Sequence, residues 1–292
     1  MNILFAASEV APFIKTGGLA DVAGSLPQAL ARLGHDVRVI LPLYERIGQE
    51  WRDQMTYLKN FPVHLAWRTP YCGLFELQKD GVTYYFVDNE YYFKRWDVYG
   101  HYDDAERYAF FSRAVIESPG HLGFWPDVIH CNDWQTALVP IYLLEERTRV
   151  PELQNAKSVF TIHNIEYQGR YGRDLLEDLF GLNDSYFNEG MLAYYGDVNL
   201  MKGAIYAADY VTTVSPSYAE ELHYDFYAHG LAGVVTQNGH KIRGILNGLD
   251  VSRYDPWHDK TLPKLYSAKQ LKGKKDCKAQ LQEMAEIGRA HV

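Results

Sequence analysis

The chain has 292 residues, 47% of them hydrophobic and 23% charged, ordinary values for a globular protein with room for one large α/β domain or two small ones. Its 37 acidic residues against 29 basic ones leave a net charge of −8, which argues against a broad polyanion-binding face and so against a nucleic-acid partner. Apolar runs stay well short of the ~20 residues a membrane span needs, the N-terminus lacks the basic start of a secretory signal, and Cys72, Cys131 and Cys277 have no metal-ligand spacing, so they read as reduced thiols of a cytoplasmic protein.

Residues 3–7 are a short continuous apolar run, which fits a strand buried on both faces. A Gly-containing loop over 8–18 leads to an expected helix over 19–33, with Pro27 as a kink or restart and Gly34 as its C-cap. A second buried strand over 37–41 closes a β-loop-α-β unit, so the two strands are expected to be parallel. Residues 61–88 differ. Runs at 63–65, 74–77 and 82–87 alternate or run apolar, and Asp80-Gly81 is a hairpin signal, so an antiparallel insertion is expected.

A helix over 104–117, a strand over 128–130 and a helix over 134–147 come next. They are followed by a strand over 159–162, a helix over 199–208, a strand over 210–214 and a short strand opening at Ile245-Leu246. This alternation predicts an α/β fold, a Rossmann-like doubly wound parallel sheet with a hairpin insertion. The composition changes after residue 255. A Lys-rich helix is expected from near Ser267, with Leu271, Leu281 and Met284 having little to pack on. The final Ile287-Gly288-Arg289-Ala290-His291-Val292 breaks that pattern and matches a translated sequencing adapter. Residues 287–292 are therefore expected to be non-native.

Ligands of open α/β sheets bind beyond the carboxyl ends of the strands, and four loops fall there. Lys15-Thr16-Gly17-Gly18-Leu19-Ala20-Asp21-Val22 joins a Gly-Gly turn to a helix N-terminus. Backbone N–H groups, the helix dipole and the Lys15 ammonium together suit a diphosphate. The spacing is neither GxGxxG nor a P-loop. In His130-Cys131-Asn132-Asp133-Trp134, Asp133 suits either a site or a helix N-cap. Thr161-Ile162-His163-Asn164 offers a histidine, and Asn247-Gly248 offers an amide in a turn.

Together these stretches resemble the bacterial glycogen synthase and plant starch synthase family. The resemblance starts at Ser8-Glu9-Val10-Ala11-Pro12-Phe13 and runs through Asp103-Asp104-Ala105-Glu106-Arg107-Tyr108 and Pro126-Asp127-Val128-Ile129-His130. It covers the chain to about residue 255. The resemblance implies the N-terminal, acceptor-side lobe of a two-lobed GT-B glycosyltransferase. Such enzymes move glucose from ADP-glucose to the non-reducing end of an α-1,4-glucan, with retention and without metal or cofactor. It implies that Lys15, Gly17 and Gly18 lie near the donor diphosphate and His163 near the transferred glucose. Asp133 and Asn247 would line the sugar end, while Glu9 and Asp21 belong to the signature loop.

Two segments depart from the family pattern. After the Tyr-Phe near position 93 the family usually has Asp-Arg and small residues; this chain has Lys94-Arg95-Trp96-Asp97-Val98-Tyr99-Gly100. The family's His-Asp-Trp-His-Thr runs here as Asn132-Asp133-Trp134-Gln135-Thr136. The motifs of the family's C-terminal lobe do not occur, so residues 1–255 are expected to form one wall of the active site. Residues 256–286 would begin the next segment, and the chain alone is expected to be inactive. The rival readings are another GT-B transferase, a non-catalytic glucan-binding module, and a NAD-linked oxidoreductase.

Overall fold

The computed structural model describes residues 1–251 and 254–288. The chain divides into two compact units, Met1–Leu246 and Asn247–Val292.

Among the described residues, the first unit has a nine-stranded sheet in the order β12-β11-β7-β6-β1-β2-β5-β4-β3. In chain order these are β1 (Asn2–Ala6), β2 (Asp36–Pro42), β3 (Thr56–Pro62), β4 (Tyr71–Lys79), β5 (Val82–Asp88), β6 (Val128–Asn132), β7 (Lys157–Ile162), β11 (Tyr210–Thr213) and β12 (Ile242–Gly244). From β12 to β5 all neighbours pair in parallel. The two strands beyond β5 are antiparallel. Short strands β8 (Arg170–Tyr171), β9 (Ala193–Tyr194) and β10 (Asp197–Asn199) form a second sheet.

Central strands are apolar because helices cover both faces. Leu4, Phe5 and Ala6 of β1 and Val39, Ile40 and Leu41 of β2 are buried. Helix α1 (Gly18–Arg32) crosses between them, and Pro27 lies inside it without ending it. That ring is buried against the core, so the lost ladder bond is offset by packing rather than expressed as a restart. Leu33 caps the helix and Gly34 follows at φ +89°, the left-handed turn glycine favours.

Several expectations shift. The run at 63–65 is not a strand: Leu65 only bridges back to Arg68, and the partner of β4 is β3. β3 is a mostly exposed edge strand, so burial left no apolar run to read. Asp80 and Gly81 form the β4–β5 turn, both at positive φ, as a type I′ hairpin requires. The helix expected from Trp134 starts with a 3-10 turn, Trp134–Thr136, and becomes α-helical only over Leu138–Arg149. The last strand lies at Ile242–Gly244; the Ile245 N–H still reaches the Thr213 carbonyl at 2.8 Å.

In the second unit the Lys-rich helix runs over Lys272–Met284, and Leu271, Leu281 and Met284 are exposed. Residues 289–292 of the tail expected to be non-native lie outside the described residues. Among the described residues no helix is long and apolar enough to cross a membrane.

Candidate active site

β1, β6 and β7 are neighbours, and the loops at their carboxyl ends form one cluster. After β1, Ser8 and Glu9 are buried. One Glu9 oxygen, Oε2, accepts from the Thr16 N–H, from the Thr16 hydroxyl at 2.7 Å and from the Gly17 N–H at 3.3 Å. A buried carboxylate therefore folds the Lys15-Thr16-Gly17 turn. The start of α1 is fixed from the other side. The Ala11 N–H donates to the Ala20 carbonyl at 2.9 Å, and a Cβ at Gly24 would stand 2.5 Å from the Ala11 carbonyl oxygen. Only glycine permits that crossing.

Gly17 is the N-cap of α1 and supplies no side-chain cap. The first amides of α1 thus keep their donors outside the helix ladder, at its positive end. A Cβ at Gly18 would meet nothing within 4 Å, so this approach is open. Lys15 Nζ lies 2.5 Å from Asp21 Oδ2, and both side chains are partly exposed.

At the end of β6, the fully buried Asn132 donates from Nδ2 to the Ala6 carbonyl at 3.0 Å. Its Oδ1 lies 2.9 Å from His163 Nε2. Asp133 has φ +56° and ψ −179°, a conformation that costs a non-glycine residue on the order of 1–3 kcal/mol. Its carboxylate does not cap the following helix. Oδ1 instead accepts from the His163 N–H at 2.7 Å and the Asn164 N–H at 3.4 Å, while the Asp133 N–H donates to the Thr161 carbonyl at 3.0 Å. The strained residue thus staples the loop after β6 to the loop after β7.

Burial pushes the Asp133 carboxyl up to about 7, the two amides oppose this, and Glu9 adds to it. Burial holds His163 down at about 4. Burial, with His163 beside it, holds His130 at about 3. Both imidazoles are neutral at pH 7.

Sequence reasoning missed three members of the cluster. Asn132 stood in a quoted motif without a role. Tyr99 and Ser8 join hydroxyls at 2.7 Å, which places the loop before the Asp104–Leu122 helix against the end of β1. Burial, then Tyr44 and Glu9, raise the Tyr99 phenol well above its usual value. The one available signal was the local departure at Trp96–Tyr99 from the family pattern.

A cleft of about 440 Å³ opens beside Trp134, between that ring and Tyr167, Gly169, Arg170, Tyr171 and His229. Gly169 has φ +64°, and a Cβ there would press to 2.8 Å from the Trp134 ring. Lys15, Gly17, Gly18 and His163 do not line this cleft. Asn247 is the first residue of the second unit, so the first unit's cluster does not contain it. Among the described residues no group of three His, Cys, Asp or Glu side chains is placed to hold a metal ion.

An open, mostly parallel sheet with polar loops gathered at adjacent strand ends beside a helix N-terminus defines a Rossmann-like α/β lobe. Comparison gives the particular family: the profile of the starch synthase catalytic domain matches residues 2–237, and the chain belongs to that family. It is 50% identical over 288 residues to a glycogen synthase of Clostridium novyi (strain NT), covering 98% of this chain and 60% of that protein. It is 49% identical over 282 residues to a glycogen synthase of Bacillus cereus (strain B4264), covering 97% and 59%. Among solved structures it resembles the catalytic domain of Starch Synthase IV from Arabidopsis thaliana bound to ADP and acarbose. That match has a TM-score of 0.87 and 33% identity, over all of this chain and 60% of the other. The chain thus spans about 60% of the length of these relatives, and its sheet is the GT-B type of lobe expected from its motifs.

Proposed function

We propose that residues 1–255 form the acceptor-side wall of an active site that transfers glucose from ADP-glucose to the non-reducing end of an α-1,4-glucan, with retention. One observation carries this reading: Glu9, Asn132, Asp133 and His163 lock three neighbouring strand-end loops into one polar cluster. The cluster adjoins the open, positive end of α1. ADP and acarbose bound to the Arabidopsis relative support a sugar nucleotide and a glucan as ligands. The buried thiols of Cys72 and Cys131 suit a cytoplasmic setting.

In this reading a diphosphate carries negative charge away from the sugar as the bond to glucose breaks. Lys15 and the amides at Gly18 would stabilise that charge as it develops. Gly17 serves the turn differently, since its N–H already faces Glu9. The Lys15–Asp21 pair keeps the ammonium in place until a stronger anion arrives. His163, uncharged, would offer a hydrogen-bonding nitrogen to a sugar hydroxyl without opposing a developing oxocarbenium charge. Asp133 would hold that histidine's backbone. The leaving phosphate would take the acceptor's proton.

The test is a chimera in which residues 1–255 replace the corresponding segment of the Clostridium novyi enzyme. It should elongate glycogen from ADP-glucose, and Lys15→Ala should lower turnover by more than tenfold, or ~1.4 kcal/mol. A folded chimera in which Lys15→Ala costs less than that would remove the charge role. The 292-residue chain alone should show no turnover.

A further inference from the structure

Three large rings stand out in solvent on one short segment: Tyr91, Trp96 and Tyr102 are 66%, 77% and 92% exposed. They form a connected patch. Trp96 meets the His101 ring edge-on at 5.4 Å, Tyr102 follows His101 in the chain, and the Tyr102 hydroxyl sits close enough to Tyr91 to perturb its phenol. The Arg95 guanidinium lies 5.5 Å from the centre of the Tyr91 ring.

The backbone beneath the patch is tied down. Arg95 grips both oxygens of Asp103 at 3.1 and 2.8 Å and the Tyr91 carbonyl at 2.7 Å. Arg46 holds Asp97 at 2.7 Å. From below, the buried Arg107 donates to the Tyr92 carbonyl at 2.7 Å and the Val98 carbonyl at 3.0 Å. The rings are therefore presented by a fixed loop, which lowers the ordering cost of binding. The same loop joins the Tyr99 hydroxyl to Ser8 at 2.7 Å, so it is also anchored at the end of β1.

We propose that Tyr91, Trp96 and Tyr102 form a surface site that stacks on the sugar rings of an α-1,4-glucan and holds the polymer while its end occupies the crevice. The ligand class rests on the proposed function; the existence of the platform does not. The chemistry separates a glucan from a protein partner. The exposed ion pairs Glu90–Lys94 and Arg46–Asp97 belong to the same segment and its support, so the rings stand among charges rather than in the apolar kind of surface a protein interface buries in its core. A sugar offers small apolar faces rimmed by hydroxyls, which match isolated rings set among charges. Trp96 also stands in a segment where the family usually carries small residues, so the platform distinguishes this chain from that pattern. A second grip on a polymer raises apparent affinity by tethering, with no change in the first site.

The test is native electrophoresis of the 292-residue chain in gels with glycogen, with dextran, and without polymer. Glycogen should retard the chain and dextran should not. Trp96→Ala combined with Tyr102→Ala should weaken retardation by ~tenfold or more, each single change should give part of that loss, and Trp96→Phe with Tyr102→Phe should restore it. Circular dichroism melting should match the parent throughout, since the rings are exposed. The proposal is overturned if the parent is not retarded, if dextran retards it equally, or if the double alanine variant runs like the parent. The Lys15→Ala chimera reads the donor side, so failure there with glycogen retardation intact would sink the proposed reaction and leave this site standing. The reverse result would do the opposite.

Discussion

Asn132 Oδ1 lies 2.9 Å from His163 Nε2. The nitrogen of the same amide is committed to the Ala6 carbonyl, so the oxygen must face the ring. A neutral imidazole then carries its proton on Nε2 and keeps Nδ1 as the acceptor.

That relationship predicts what NMR of the imidazole nitrogens should find: the Nε2–H form, titrating at about 4. Asn132→Asp would put a carboxylate against Nε2–H, which favours the imidazolium. The midpoint should rise by about one unit or more. An unmoved midpoint would mean the contact does not govern the ring.

Stability should change with pH in a direction the three buried groups fix. His163 and His130 are held at about 4 and about 3 from an ordinary 6.5. Their contribution is complete above pH 6.5 and is lost as pH falls through the folded values. Asp133 is raised from 3.8 to about 7, so its contribution is complete below 3.8 and is lost as pH rises toward 7. Between pH 6.5 and 4 two imidazoles oppose one carboxyl. Acidification should therefore lower stability by about 1.4 kcal/mol per pH unit in that window from these groups. Asp133→Asn keeps an acceptor for the two amides and removes the opposing proton. The pH dependence of stability from urea unfolding should then steepen by about 1.4 kcal/mol per pH unit in that window; a pH dependence equal to the parent's would contradict the assignment.

Removing the Glu9 carboxylate should loosen the signature turn selectively. Glu9→Ala leaves the Thr16 and Gly17 N–H groups without their partner, at a cost of about 1–3 kcal/mol. Hydrogen exchange should accelerate at these two amides and stay unchanged in β2. Retained protection at Thr16 would show that another group holds the turn.

Gly24→Ala tests the crossing of α1 over the residue 9–13 loop. A methyl would be driven to 2.5 Å from a backbone oxygen, and backbone cannot swing aside as a side chain can. Despite alanine's better helix propensity, the variant should lose about 1–3 kcal/mol in denaturant unfolding. A more stable variant would refute the close approach.

The sequence was most legible where burial is two-sided. β1, β2, β6 and β7 read as apolar runs because helices cover both faces, and Asp80-Gly81 announced its hairpin. It was least legible where residues face water or where one residue redirects the chain. β3 is largely exposed, so its pattern is polar. The strands of the small sheet, at Arg170–Tyr171 and Ala193–Tyr194, are too short to leave a period. Asp133 looked equally like a cap, and its positive φ, which delays the following helix, leaves no mark in composition. Asn132 and Tyr99 escaped because their roles come from strands and loops distant in the chain.

The antiparallel edge and the loop after it attach outside β2, whereas the polar cluster grows from β1, β6 and β7. The exposed edge strand β3 can therefore change while the three central turns keep their spacing, whereas β5 packs on Phe13 and Tyr99 bonds Ser8, which ties the segment between them to the cluster. A change confined to that edge leaves the turns after β1, β6 and β7 untouched, whereas a change at Tyr99 reaches the first of them directly.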